Sequence, residues 1–104
     1  MHLSVPVYAQ ADLIVVGGAS GGVAAATAAA RAGRKVFLGA AEPYAGEDIC
    51  ATGRLWPDAS LPLETALART ILARKDGSRR TFLRPARVKA KLDNALIEAN
   101  VNFR

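Results

Sequence analysis

A short apolar run, an alanine-rich segment and a second apolar run follow one another near the start of the chain. Residues 13–16, LIVV, are continuous, β-branched and followed by glycines, which predicts a central strand of a parallel sheet, covered on both faces. Residues 22–32, GVAAATAAARA, are almost all helix formers, and Gly33 is a typical C-terminal stop. Residues 35–38, KVFL, predict a second strand. This order predicts one right-handed β-α-β unit.

The rest of the chain predicts a long loop followed by two further helices. Residues 39–62 combine glycines, prolines and acids without a usable period, which is typical of a functional or disordered loop. Apolar residues four apart predict a helix over residues 63–74, followed by a turn and an extended stretch over 81–83. Pro85 is well placed in the first turn of another helix. The apolar stripe of that helix consists of Val88, Leu92, Ala95, Leu96 and Ala99.

The final residues VNF predict the start of a third strand. The elements together predict an α/β chain with a partial Rossmann-like fold: a β-α-β unit, a long loop, further helices and the start of a third parallel strand. Several apolar faces of such a small sheet have no partner within this pattern. We therefore expect the chain to be marginally stable or prone to aggregation alone.

Composition limits the classes of function. With 51% hydrophobic residues among 104, the chain can form a packed core, and no apolar run approaches the roughly 20 residues of a membrane span. Cys50 and His2 are single residues of their types, so we predict no intrachain disulfide and no metal site. The opening MHLSVPVYAQA lacks the basic residues of a signal peptide, so we expect a cytoplasmic protein. Export is the alternative if a signal peptide precedes the chain or has been truncated.

The net charge of +5 is concentrated in one span of the sequence. Residues 69–91 contain nine of the fourteen Lys and Arg residues and a single acid, Asp76. Nucleic-acid binders usually interleave aromatic residues with such charges, and here only Phe82 does so. We interpret the span as a solvated face and do not expect nucleic-acid binding, while a basic interaction module is a non-enzymatic alternative.

The glycines between the first strand and the helix are the main candidate site. Gly17, Ala19 and Gly22 occupy the three slots of the G-x-G-x-x-G fingerprint, where N–H groups of a helix N-terminus face a pyrophosphate. Ala19 replaces the middle glycine, which requires a negative φ and a methyl group directed away from the phosphate. The alternative is a tight turn whose glycines serve packing alone. The ribose-binding acid expected about 20 residues later falls at Ala40, so Glu42 is either a shifted ribose ligand or an ordinary loop residue.

Three segments resemble, in the same order, the N-terminal FAD-binding segment of FAD-dependent oxidoreductases of the bacterial, glutathione-reductase-like Rossmann superfamily. They are DLIVVGGASGGVAAATAAARAGRKVFL at 12–38, PYAGEDICATGRLW at 43–56 and RPARVKAKLDNALIEANVNF at 84–103. The resemblance implies FAD as the cofactor. The residues that it places around the FAD pyrophosphate are Gly17, Gly18, Ala19, Ser20, Gly21 and Gly22. It also implies that the loop after the second strand runs toward the flavin and contacts it through Thr52, Gly53 and Arg54.

The resemblance thus implies a flavoprotein, with residues 1–104 as a single incomplete FAD/NAD(P)-binding domain and 1–11 as its N-terminal extension. Its function would be that of the FAD-binding portion of a flavin-dependent oxidoreductase, inactive alone. The residues indicate neither the small-molecule substrate nor a catalytic residue. A second hypothesis is an NAD(P)-binding Rossmann domain with Arg34 or Lys35 near a 2′-phosphate, and a third is a truncated inactive fragment or the basic module. We interpret Cys50 as a small apolar side chain rather than a redox group.

Overall fold

The computed structural model describes residues 2–104, which form three strands and four helices. In chain order these are β1 (Leu13–Val16), α1 (Ser20–Arg31), β2 (Val36–Gly39), α2 (Glu47–Cys50), α3 (Ala66–Leu72), α4 (Pro85–Glu98) and β3 (Asn102–Phe103). The predicted strand–helix–strand unit and the third strand are present. The segment predicted as a loop, residues 39–62, contains one turn of helix, α2. None of the helices in this described range is long and apolar enough to cross a membrane.

The three strands form one parallel sheet in the order β1-β2-β3. Leu13 of β1 lies opposite Val36 of β2, and Phe37 of β2 lies opposite Asn102 of β3. Parallel neighbours joined through a helix are the geometry of a β-α-β crossover. The predicted α/β class and partial Rossmann-like fold are therefore confirmed.

The prediction that residues 13–16 form a central, covered strand is wrong. In residues 2–104, β1 pairs only with β2, so β2 is the central strand. Ile14 and Val16 are 65% and 89% exposed, and of this strand only Val15 packs against the core. The apolar run therefore forms an edge strand of this sheet. Its outer face is exposed, because the helices cover the other face.

Helices α1 and α4 pack against each other and supply half of the buried hydrophobic residues. The small residues of α1 allow close packing, so that Val23 and Ala26 are completely buried. Pro85 stands at the start of α4, where its missing N–H costs nothing, as predicted. The buried stripe of α4 consists of Val88, Leu92, Ala95 and Leu96, with Ala99 partly buried. The predicted apolar stripe is confirmed.

Helix α3 is shorter than the predicted 63–74. The side-chain oxygen of Thr65 accepts a hydrogen bond of 3.0 Å from the N–H of Ala68, and this cap fixes the first turn. After α3, Ala73 and Arg79 form an antiparallel bridge instead of the extended stretch expected at 81–83. Leu83, in that stretch, is 3% exposed and belongs to the core. The segment between α3 and α4 is therefore anchored by the Ala73–Arg79 bridge and by the side chain of Leu83.

Candidate nucleotide-binding site

The turn between β1 and α1 requires glycine at two of its positions. Gly17 has a φ of +114°, and its N–H donates to the carbonyl oxygen of Gly39 across 2.7 Å. A Cβ atom at Gly22 would collide with the carbonyl oxygen of Gly17. Gly17 therefore permits the turn, and Gly22 permits close packing of α1 against it.

Ala19, the departure from the glycine fingerprint, is accommodated by the backbone. Its φ is −65° and its ψ is 168°, an extended conformation at the N-cap position of α1. Its carbonyl oxygen accepts the first helical hydrogen bond, from the N–H of Val23, across 3.0 Å. The predicted negative φ is confirmed, so alanine is unstrained in this slot. The direction of its methyl group stays a prediction.

A carboxylate lies on the N-terminus of α1. Asp48, in α2, accepts a hydrogen bond of 2.9 Å from the N–H of Ser20 through Oδ1 and one of 2.5 Å from the Ser20 hydroxyl through Oδ2. The N–H groups of Gly21 and Gly22 have no acceptor within residues 2–104. Free N–H groups and the helix dipole favour negative charge at this position. The donor set of the turn therefore fits an anionic group with two or more oxygens, such as a phosphate.

Asp48 was missed by the sequence reasoning, although a signal for it exists. The N-cap of α1 is Ala19, which has no side-chain oxygen to offer the first N–H groups of the helix. Such groups need an acceptor from elsewhere. The acidic pair Glu47 and Asp48, in a loop that returns to this end of the sheet, was the candidate to supply it.

A cavity of about 280 Å³ lies beside the turn. Gly18 and Glu42 both line it, so the structure brings the sequence-predicted ribose ligand to the same cavity as the glycine turn. The cavity has an apolar wall next to its charged residues, and this wall consists of Leu38, Leu96 and Phe103. A pocket with apolar walls and a few polar groups is typical of small-molecule sites.

The three residues predicted to contact the flavin lie apart from this cavity. Thr52, Gly53 and Arg54 are exposed in the turn that follows α2, and none of them lines the cavity. The Thr52 hydroxyl donates to the backbone carbonyl oxygen of Asp48. Thr52 is thereby tied to the residue whose carboxylate reaches Ser20, which connects this turn indirectly to the glycine turn.

The basic residues offered for a 2′-phosphate are at the wrong end of the sheet. Arg34 and Lys35 precede β2, whereas the glycine turn and the cavity follow the C-terminal ends of β1 and β2. The four residues of β2 separate the two ends by about 13 Å, at roughly 3.3 Å per residue. The Lys35 N–H instead donates to the Asp12 carboxylate across 2.8 Å. The hypothesis that these residues bind a 2′-phosphate at this site is wrong.

The thiol of Cys50 has the surroundings of a structural residue. Burial raises its pKa above the ordinary value of 9.0; Lys89 lowers it and Asp48 raises it to smaller extents. The thiol donates a weak hydrogen bond of 3.6 Å to the Pro85 carbonyl oxygen. A raised pKa keeps the thiol protonated and poorly nucleophilic near neutral pH. This supports its interpretation as a small apolar side chain.

One protein family matches most of the chain. The family model described as FAD dependent oxidoreductase matches residues 12–103, from the residue before β1 to the end of β3. The matched region includes the glycine turn and helices α1 to α4. A search of curated proteins gives no match.

Proposed function

Because this chain belongs to the FAD-dependent oxidoreductase family, we propose that it binds FAD across the glycine turn and the adjacent cavity. One observation carries the proposal: Gly18, in the glycine turn that leads into α1, lines the same cavity as Glu42. FAD contains a pyrophosphate next to an adenosine, so its two recognition needs are an anion site and a neighbouring pocket.

The pyrophosphate would be held by backbone groups rather than by basic side chains. The proposed residues are Gly17, Gly18, Ala19, Ser20, Gly21 and Gly22. Within this set, Gly21 and Gly22 have free N–H groups, while Ser20 already donates to Asp48. The Asp48 carboxylate already takes the two Ser20 hydrogen bonds, so the pyrophosphate would be held by the N–H groups of Gly21 and Gly22, which have no acceptor within residues 2–104.

The adenosine half would occupy the cavity after β2. Glu42 would accept a hydrogen bond from a ribose hydroxyl, in place of the acid that the fingerprint expects at the position of Ala40. The apolar wall formed by Leu38 and Phe103 would contact the adenine ring. The flavin half lies at the other end of the cofactor, and we propose that it contacts Thr52, Gly53 and Arg54.

The division of labour between cofactor and protein follows from the family. FAD supplies the electron and hydride transfer of these oxidoreductases. The residues of this chain would hold the pyrophosphate and adenosine and would fix the direction in which the cofactor extends. The substrate is a small molecule that the residues described do not identify.

Titration of the chain with FAD, ADP and FMN tests the proposal, with binding measured by calorimetry. FAD and ADP share the adenosine and pyrophosphate and are expected to bind, whereas FMN lacks both and is not. Glu42→Gln should weaken FAD and ADP by about tenfold, as expected when a hydrogen bond to a charged group is lost. The matched control is Glu64→Gln, an exposed acid outside the cavity, which should leave both affinities unchanged. Absence of FAD uptake, or FMN binding equal to that of ADP, contradicts the proposal.

A further inference from the structure

We propose that a second, basic pocket between α3 and α4 binds a small molecule that carries several phosphate groups. The pocket has a volume of about 500 Å³ and is formed by α3, the turn after it and one side of α4. It shares no lining residue with the cavity beside Gly18. The proposal is therefore independent of FAD binding.

Six basic residues line the basic pocket. They are Arg69, Arg74, Lys75, Arg80, Arg87 and Lys91. They are six of the nine basic residues that the sequence places between 69 and 91, which we interpreted there as a solvated face. No Asp or Glu lines the pocket. Folding thus gathers dispersed charges around one concave site without a counter-ion from its own walls.

The one acid of this segment is engaged elsewhere. Asp76 lies in the turn between Lys75 and Gly77, but its Oδ1 accepts hydrogen bonds from the N–H and the hydroxyl of Ser78, at 2.9 and 2.6 Å. These bonds direct the carboxylate into its own turn, and they lower its pKa. Asp76 therefore stabilises the turn and does not line the pocket.

Two of the arginines that line the pocket have unfavourable surroundings. The Nε of Arg80 is buried and has no hydrogen-bond partner in the described part of the chain. Burial, and then the charge of Arg80, lower the pKa of Arg87. A buried donor without an acceptor is rare in folded proteins and requires an explanation. An anion in the pocket would offset the repulsion between the two guanidinium groups.

Arg87 is held in place by the fold. Its Nη1 and Nη2 donate to the carbonyl oxygens of Ile71 and Thr70 at the end of α3, both across 3.1 Å. A guanidinium fixed in this way binds an anion with little further loss of side-chain entropy. The pocket is therefore partly organised before any ligand arrives.

The lining selects the chemical class of the ligand. Arginine forks match the oxygens of phosphate in a bidentate manner, and six positive charges call for a ligand with several negative ones. The lining includes no aromatic side chain on which a nucleic-acid base could stack. A compact molecule with linked phosphate groups fits better than a nucleic-acid strand, whose charges are spread along an extended backbone.

Calorimetric titration with tripolyphosphate at fixed ionic strength tests the proposal, with citrate and a single-stranded oligonucleotide as comparison ligands. We expect tripolyphosphate to bind more tightly than either. Arg80→Gln should weaken tripolyphosphate binding by about tenfold, the effect of one charge-assisted hydrogen bond. Lys75→Gln should also weaken tripolyphosphate binding. Because Lys75 is exposed, this variant tests the pocket even if the Arg80 variant misfolds.

Arg84→Gln is the matched control, because it removes one positive charge from an exposed residue of the same segment outside the pocket. It should change the affinity less than twofold. Glu42→Gln, which tests the FAD site, should leave tripolyphosphate binding unchanged. Equal losses for Arg80→Gln, Lys75→Gln and Arg84→Gln would indicate diffuse attraction and overturn the proposal. Absence of tripolyphosphate binding, or oligonucleotide binding at least as tight, would overturn it as well.

Discussion

Single backbone positions decide the shape of the glycine turn, and its glycines are not equivalent. Gly22 has no room for a Cβ, because the Gly17 carbonyl oxygen lies in the way. Gly21, one residue earlier and in the same first turn of α1, would place a Cβ where no atom lies within 4 Å. A comparison of Gly22 with Gly21 therefore distinguishes the steric requirement of the turn from the general effect of glycine on helix stability.

Alanine substitutions at these two glycines should have opposite effects on stability. Gly22→Ala is expected to lower the free energy of unfolding by about 2 kcal/mol or more, because the new methyl group forces the turn apart. Gly21→Ala should raise it by about 0.5–1 kcal/mol, because alanine loses less backbone entropy in a helix. Urea denaturation followed by circular dichroism measures both. Equal destabilisation of the two variants would show that the collision at Gly22 does not determine the turn.

The residue scale also shows what sequence reasoning could and could not find. The fingerprint spacing identified Gly17 and Gly22, and steric reasoning about Ala19 predicted its negative φ. Both depend on local backbone geometry, which a few neighbouring residues determine. Asp48 escaped because its role depends on a contact with Ser20, 28 positions away in sequence. No local pattern specifies which of two adjacent acids turns toward the helix.

At the level of elements, Asp48 joins the one-turn helix α2 to the N-terminus of α1. A helix of only four residues has little stability of its own, so α2 depends on such tertiary contacts. The backbone reinforces the connection, since the N–H of Gly46 donates to the carbonyl oxygen of Gly18 across 2.8 Å. The loop after β2 is thereby held against the glycine turn at its start.

Removal of the Asp48 carboxylate should loosen this connection. Asp48→Ala is expected to cost about 1–2 kcal/mol of the free energy of unfolding, because α1 loses its only side-chain acceptor at Ser20. Glu47→Ala removes the neighbouring acid, which makes no such hydrogen bond, and should cost about 0.5 kcal/mol or less. Chemical denaturation of the two variants gives the comparison. Similar losses would mean that the general charge of the α2 segment matters more than the contact.

Element prediction succeeded where an apolar stripe or a signal for the start of a helix was sufficient. Helix α4 has both, with Pro85 at its start and a buried stripe along its length. The start of α3 was misplaced because the Thr65 cap outweighs the apolar spacing that begins at Leu63. For β1, the run of four apolar residues correctly predicted a strand. It could not indicate the position in the sheet, because strand order depends on pairing between distant segments.

In the whole molecule, helices cover one face of the sheet, and the other face is largely exposed. Helix α1 packs against β1 and β2 on the covered side. On the outer side, Tyr8 from the N-terminal segment contacts Phe37 edge to face, with ring centroids 6.4 Å apart. Despite this contact, Ile14 and Val16 are largely exposed. An exposed apolar strand with an unpaired edge is a typical site of self-association.

The exposed strand β1 should therefore govern self-association of the chain. We expect Ile14→Thr combined with Val16→Thr to shift association to higher protein concentration, because threonine keeps the β-branched shape but reduces the apolar surface. The free energy of unfolding should change by about 1 kcal/mol or less, since both side chains are mostly exposed. Leu3→Thr combined with Val5→Thr is the matched control, because these residues are 83% and 72% exposed in the N-terminal segment. Sedimentation velocity over a concentration series distinguishes the cases: if the control reduces association as much as the β1 variant, general apolar exposure drives association and the outer face of β1 does not.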